Sequence, residues 1–140
     1  MSQSITPEIR AGFLAIADRL IPEAEGMPSA SEVGVGELLD RILGLRPDLG
    51  EDFFRGLAAV RGRPAGEAAE TLNRDDPQAL STIGLVAAAA YFMMPQVREL
   101  IGYPGQEKRT FDPDPTPEYV ANGMLQRVID RGPIYRPTPT

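Results

Sequence analysis

Apolar residues recur at steps of three and four along most of this chain, and proline or glycine closes nearly every run. Ile9, Phe13, Ile16, Ala17 and Leu20 make the first stripe, the one-faced pattern of an amphipathic helix. Thr6-Pro7-Glu8 opens it with a hydroxyl cap, a proline that has no N–H to satisfy, and an acid at the positive end of the helix dipole. Pro22 stops it. Beyond a loop from Pro22 to Pro28, Ser29 and Glu32 form a capping-box pattern for a second helix, with Ser31 as a rival cap. Its apolar face is Val35, Leu38, Leu39, Ile42 and Leu43, and Gly44 is its expected C-cap. Arg46-Pro47-Asp48 begins a third helix carrying Phe53, Leu57 and Val60, which ends in Gly62-Arg63-Pro64. A short alanine-rich helix is expected over Gly66 to Leu72.

Asp76-Pro77 is another cap-plus-proline start, and it leads into the most apolar stretch, Leu80 to Met94. A helix that is apolar nearly all round belongs at the centre of a bundle, and Tyr91, Phe92, Met93 and Met94 at its end are expected mostly in the core. Pro95 restarts the helix, which finishes before Gly102. Residues 102–115 hold two Asp-Pro pairs and read as an irregular crossing segment. Thr116-Pro117-Glu118 repeats the opening signature and predicts a last buried stripe of Tyr119, Val120, Met124, Val128 and Ile129. From Gly132 the prolines favour an extended or polyproline-like tail. Strand patterns are nearly absent. The expected fold is all-α, a compact bundle of five or six helices around 77–94. Residues 1–131 form a single domain on this reading, and 132–140 an extended proline-rich tail.

Composition narrows the chemistry. The 140 residues include no cysteine and no histidine, so disulfides, thiolate metal sites, covalent haem attachment and the commonest general base are excluded. A net charge of −6 lacks the basic footprint of a nucleic-acid binder. The longest apolar run, Ile83 to Met94, falls short of the roughly 20 residues a bilayer span needs. The opening residues contain neither a twin-arginine pair nor an apolar block. That predicts a cytoplasmic protein, or a periplasmic one only if a partner carries it with its own signal.

Catalytic and cofactor signatures fare poorly. Gly34-Val35-Gly36 has Leu39 where the dinucleotide fingerprint needs its third glycine, and a helical pattern surrounds it. The acid pairs Glu23 with Glu25, Asp75 with Asp76 and Asp112 with Asp114 all fall in turns or at helix starts, where carboxylates cap backbone amides. Neither enzyme activity nor any bound cofactor or metal is expected. Asp18 stands apart, because a negative charge in the last helical turn opposes the dipole. We expect its carboxylate to accept amides from residues 29–32, clamping the Asp18–Pro22 and Pro28–Ser31 elements together. For a partner surface, Tyr103, Pro104 and Phe111 in the irregular segment and Ile134 and Tyr135 in the tail supply apolar anchors on extended chain. The competing reading folds these side chains back over the molecule's own core.

Three stretches together carry a family resemblance. Ala15-Ile16-Ala17-Asp18-Arg19-Leu20-Ile21-Pro22, then Gly26-Met27-Pro28-Ser29-Ala30-Ser31, then Leu100-Ile101-Gly102-Tyr103-Pro104-Gly105 resemble the small third (gamma) subunit of gluconate 2-dehydrogenase. The resemblance marks Asp18, Arg19, Pro22, Pro28, Ser29 and Ser31 as a structural motif. It implies a small helical, non-catalytic accessory subunit that assists maturation or export of a large flavin-dependent dehydrogenase and stays bound to it. A cytochrome c subunit often completes such a complex, and the small subunit itself holds neither flavin nor haem. The alternative is a free-standing or self-associating homo-oligomeric protein that keeps the fold without a dehydrogenase partner.

Overall fold

The computed structural model describes residues 4–108 and 117–134, which fall in two units, Met1–Gly105 and Gln106–Thr140. The described residues are all-α, without a strand. The first unit holds six helices, α1 Pro7–Leu20, α2 Leu39–Leu45, α3 Gly50–Ala59, α4 Ala65–Asp75, α5 Pro77–Met93 and α6 Pro95–Leu100. The second holds α7 Glu118–Ala121 and α8 Gln126–Arg131.

The proline-marked starts form as their chemistry requires. Thr6 Oγ1 accepts the Ile9 N–H at 3.3 Å, and Asp76 Oδ1 accepts the Ala79 N–H at 3.1 Å. Phe13, Ile16 and Ala17 bury the inner face of α1, and Phe53 meets Phe13 with ring centroids 5.6 Å apart. Around this pair α5 packs against every other helix of the unit. It buries Ala79, Thr82, Ile83, Val86, Ala87, Ala90 and Tyr91. Where α3 crosses it, Gly56 has no side chain to spare: a Cβ there would stand 2.8 Å from the Ala79 Cβ. Arg55 ties the same crossing from outside, reaching Asp52 at 2.6 Å and Asp76 at 2.8 Å.

Several expectations are corrected. The second helix does not start at Ser29. Residues 30–34 are turns, Val35–Leu38 is a short 3-10 helix, and α2 begins only at Leu39. Gly34 at φ 79 breaks the regular path, and Gly36 seats its backbone on α1, where a Cβ would meet Arg10 and Leu14 at 3.3 Å. Gly44 is not the cap, because α2 runs on to Leu45 and ends at Arg46, whose N–H reaches Ile42 O. The Arg46-Pro47-Asp48 start forms a 3-10 turn, Pro47–Leu49, before α3. The alanine-rich helix is longer than expected, Ala65–Asp75. On α5 the surroundings are not apolar throughout, since Leu85 and Phe92 stand 49% and 55% exposed.

The last stripe is the largest correction. Tyr119, Val120, Met124, Val128 and Ile129 are all exposed rather than buried. Gly123 at φ 81 separates α7 from α8, and the Met124 N–H turns back to Asn122 Oδ1 at 3.0 Å. The helical phase is broken there, so no single face collects the apolar positions.

Candidate functional site

Asp18 does what its position demands. Its Oδ1 accepts the Ser31 N–H at 2.7 Å, and just beyond it the Ala30 N–H donates to Ile21 O at 3.1 Å. Ala30 is fully buried beneath this seam. Within the loop, the Ser29 N–H donates to Glu32 Oε2 at 2.6 Å, one arm of the capping box without the helix. Pro22 leaves α1 at one end, Pro28 enters the seam at the other, and Arg19 points its charge outward on the exposed side of α1. The Asp18–Pro22 and Pro28–Ser31 elements are one structure.

Sequence reasoning missed the third tie. Tyr91 is 4% exposed, and its phenol donates to Pro28 O at 2.7 Å, pinning the loop to the central helix. Burial, and then the charge of Glu32, push its pKa above the ordinary value. The signal was present in the sequence: a tyrosine in so apolar a helix needs a partner for its hydroxyl.

Between Pro22 and Pro28 the chain reverses in a tight turn, with Ala24 and Met27 exchanging backbone hydrogen bonds at 3.1 and 2.8 Å. Both central residues are left-handed, Gly26 at φ 83 and Glu25 at φ 51. Glycine takes that conformation freely, and glutamate adopts it at a cost of about 1 kcal/mol.

The third stretch arrives from the other side. Helix α6 closes in a Schellman motif: Gly102, at φ 66, donates to Glu99 O at 3.0 Å, and the Tyr103 N–H donates to Arg98 O at 2.8 Å. Pro104 follows, where a proline prevents any continuation. This cap sets Leu100 across a cleft of about 260 Å³ from Met27 and Pro28, with Glu23, Gly26, Glu32 and Gln96 completing the lining. The second and third stretches that carry the resemblance therefore face each other across one cleft, although some seventy residues separate them, and the first is tied to the second through Asp18 and Ser31.

Of the expected partner-facing residues, Tyr103 and Pro104 belong to the first unit and are exposed, Tyr103 by 53%. Ile134, in the second unit, is 78% exposed. Phe111 and Tyr135 lie outside the described residues, as do Asp112 and Asp114.

A larger groove of about 1610 Å³ runs along another face of the first unit, between α1, α2 and α3. Its floor includes Ile9, Leu43 and Phe54, and small residues such as Gly12, Gly44 and Ala58 form much of its walls. Ion pairs cross between its elements, Arg61 with Glu8 and Arg10 with Asp40. Its charged groups are thus largely satisfied within the chain. Asp75 and Asp76 are likewise held by Arg74 and Arg55, which lower their pKa values through direct hydrogen bonds. No group of three or more acidic side chains among the described residues is arranged to hold a metal ion. Nor is any described helix long and apolar enough to cross a membrane. Compared with protein-family models, curated proteins and solved structures, the chain finds no match in any of the three.

Proposed function

We propose that this chain is a non-catalytic accessory subunit, binding the large subunit of a flavin-dependent sugar or alcohol dehydrogenase, with a cytochrome c subunit as the further member of the complex. One observation supports the reading more than any other. The first and second stretches that carry the family resemblance are built into one clamp through Asp18 and Ser31, and Leu100 of the third, some seventy residues on, faces the second across one cleft. A free-standing helical bundle needs an apolar core, and this chain has one elsewhere. Nothing in core packing calls for an exposed leucine, isoleucine and tyrosine, Leu100, Ile101 and Tyr103, gathered at a fully formed helix cap. Exposed apolar groups gathered beside a cleft are the usual mark of a surface that meets another protein.

The test is co-expression of the tagged chain with the large subunit of a flavin-dependent sugar or alcohol dehydrogenase. The expected result is a complex with stoichiometric flavin absorbance, while the chain purified alone is colourless. A chain that purifies as a colourless homo-oligomer, with no dehydrogenase retained, would overturn the accessory reading in favour of self-association.

A further inference from the structure

The cleft between the second and third stretches has a distinctive charge. Its lining contains two carboxylates, Glu23 and Glu32, and no cation. A third, Glu25, stands exposed at the tip of the same turn. None of the three forms an ion pair among the described residues, whereas arginines elsewhere in the unit hold Glu8, Asp40, Asp48 and Asp76. Arg19 in α1 and Arg98 in α6 pair with none of them. Between the acids lies an apolar wall of Met27, Pro28 and Leu100, and methionine adapts its shape to what it meets. At about 260 Å³ the cleft is smaller than the roughly 300–1,000 Å³ of small-molecule sites, so it suits one anchoring side chain.

We propose that this cleft receives a short segment of a partner protein in which arginine or lysine flanks a large apolar side chain. The apolar side chain packs on Met27, Pro28 and Leu100, and the cations meet Glu23 and Glu25. Opposite charge at the rim selects and orients the segment, and the apolar anchor holds it. This deepens the accessory reading by naming the chemistry of the segment taken. It rests on that reading only in requiring a protein partner, not in requiring a flavoprotein.

The experiment uses the full chain and three fluorescently labelled synthetic peptides of about ten residues, a length suited to groove recognition. The first places arginines on both sides of a Leu-Phe centre, the second replaces the arginines with glutamates, and the third replaces Leu-Phe with serines. The first peptide is expected to bind with a dissociation constant on the order of 10–100 µM, weakening as salt rises. The other two should bind at least about tenfold more weakly. The double change Glu23→Gln with Glu25→Gln, and separately Leu100→Ser, should each weaken the first peptide by about tenfold while leaving the unfolding midpoint in place. Amide shifts on binding should fall on residues 23–32 and 96–103. Equal binding of the acidic peptide, shifts confined to the larger groove, or no binding of the first peptide at about 1 mM would overturn the proposal. So would self-association abolished by Leu100→Ser, which assigns the cleft to a second copy. A dehydrogenase that co-purifies while the peptide maps elsewhere leaves the accessory reading standing and removes only the cleft. Peptide binding at the cleft without a dehydrogenase does the reverse.

Discussion

Asp18 carries a negative charge at the end of a helix that repels it, an arrangement costing about 0.3–1 kcal/mol before any partner is found. The Ser31 amide at 2.7 Å offsets this with a charge-assisted hydrogen bond that no other side chain of α1 supplies. Replacing Asp18 with Ala is expected to lower stability by about 1–2 kcal/mol in urea unfolding, because the Ser31 N–H loses its acceptor. Asn, which keeps an oxygen in place, should lose less than Ala, and equal losses would mean that the hydrogen bond contributes nothing. Tyr91→Phe removes the tie to Pro28 O and should cost about 1 kcal/mol at neutral pH. It should also change the alkaline limb. Burial and Glu32 raise the Tyr91 pKa above the ordinary 10.0, so the unfolded chain ionises first as pH rises. The stability linked to this group is whole below pH 10.0 and declines as pH climbs toward the folded value. Wild type should therefore lose stability above that pH through a step that Tyr91→Phe lacks, which paired pH titrations of the urea midpoint will read.

At the crossing of α3 and α5, glycine serves contact rather than flexibility. In an exposed helix interior Ala is better than Gly by about 0.5–1 kcal/mol, so Gly12→Ala in α1 should stabilise by that amount and Gly66→Ala, in the first turn of α4, by less. A Cβ at either position meets nothing within 4 Å. Gly56→Ala should do the opposite. Its Cβ would stand 2.8 Å from the Ala79 Cβ and 3.2 Å from Ile83 Cδ1, and a Cβ on a packed helix cannot swing aside as a side-chain end can. Overpacking of about 1–3 kcal/mol exceeds the propensity gain, so the net expectation is a loss of about 1–2 kcal/mol, read as a lower midpoint than either control. Elements were legible in the sequence wherever the deciding chemistry was local. Thr6-Pro7 and Asp76-Pro77 set their own helix starts, and the burial of Phe13, Ile16 and Ala17 on α1 and of Phe53 and Leu57 on α3 followed from spacing, whereas Leu20 of the same α1 stripe is exposed. Residues 29–38 were not legible because two distant partners decide them: Asp18 takes the Ser31 amide that a helix start would use, and α1 receives the bare backbone of Gly36. The same distinction divides the site. Asp18 could be read from its dipole conflict, whereas the meeting of Leu100 with Met27 and Pro28 depends on how α5 and α6 are packed.

On the scale of the whole molecule, all described burial is in the first unit, from Phe13 to Val97. The second unit has no buried residue among those described, and its helices, Glu118–Ala121 and Gln126–Arg131, are one turn or little more. Isolated helices shorter than about 12–15 residues are marginal in water, because nucleation outweighs the few bonds that follow. A piece of about 35 residues also lies below the roughly 40 at which a core can sustain a fold without metal, disulfide or partner. A protein ending at Gly105 should accordingly keep the cooperative unfolding of the full chain, with a melting temperature within about 3 °C of it, a shift smaller than 1 kcal/mol produces in a domain of this size. The peptide from Gln106 to Thr140 should show mostly coil in far-ultraviolet circular dichroism. A fall of about 10 °C or more on truncation would contradict this, since a change that large corresponds to more than 1 kcal/mol and must come from burial that residues 106–140 supply. The truncated protein also separates the two roles expected for the chain's exposed residues. If the cleft of the first unit is the principal partner surface, the shortened chain retains the dehydrogenase in co-purification. If Ile134 and its neighbours are required, it folds as before and retains nothing.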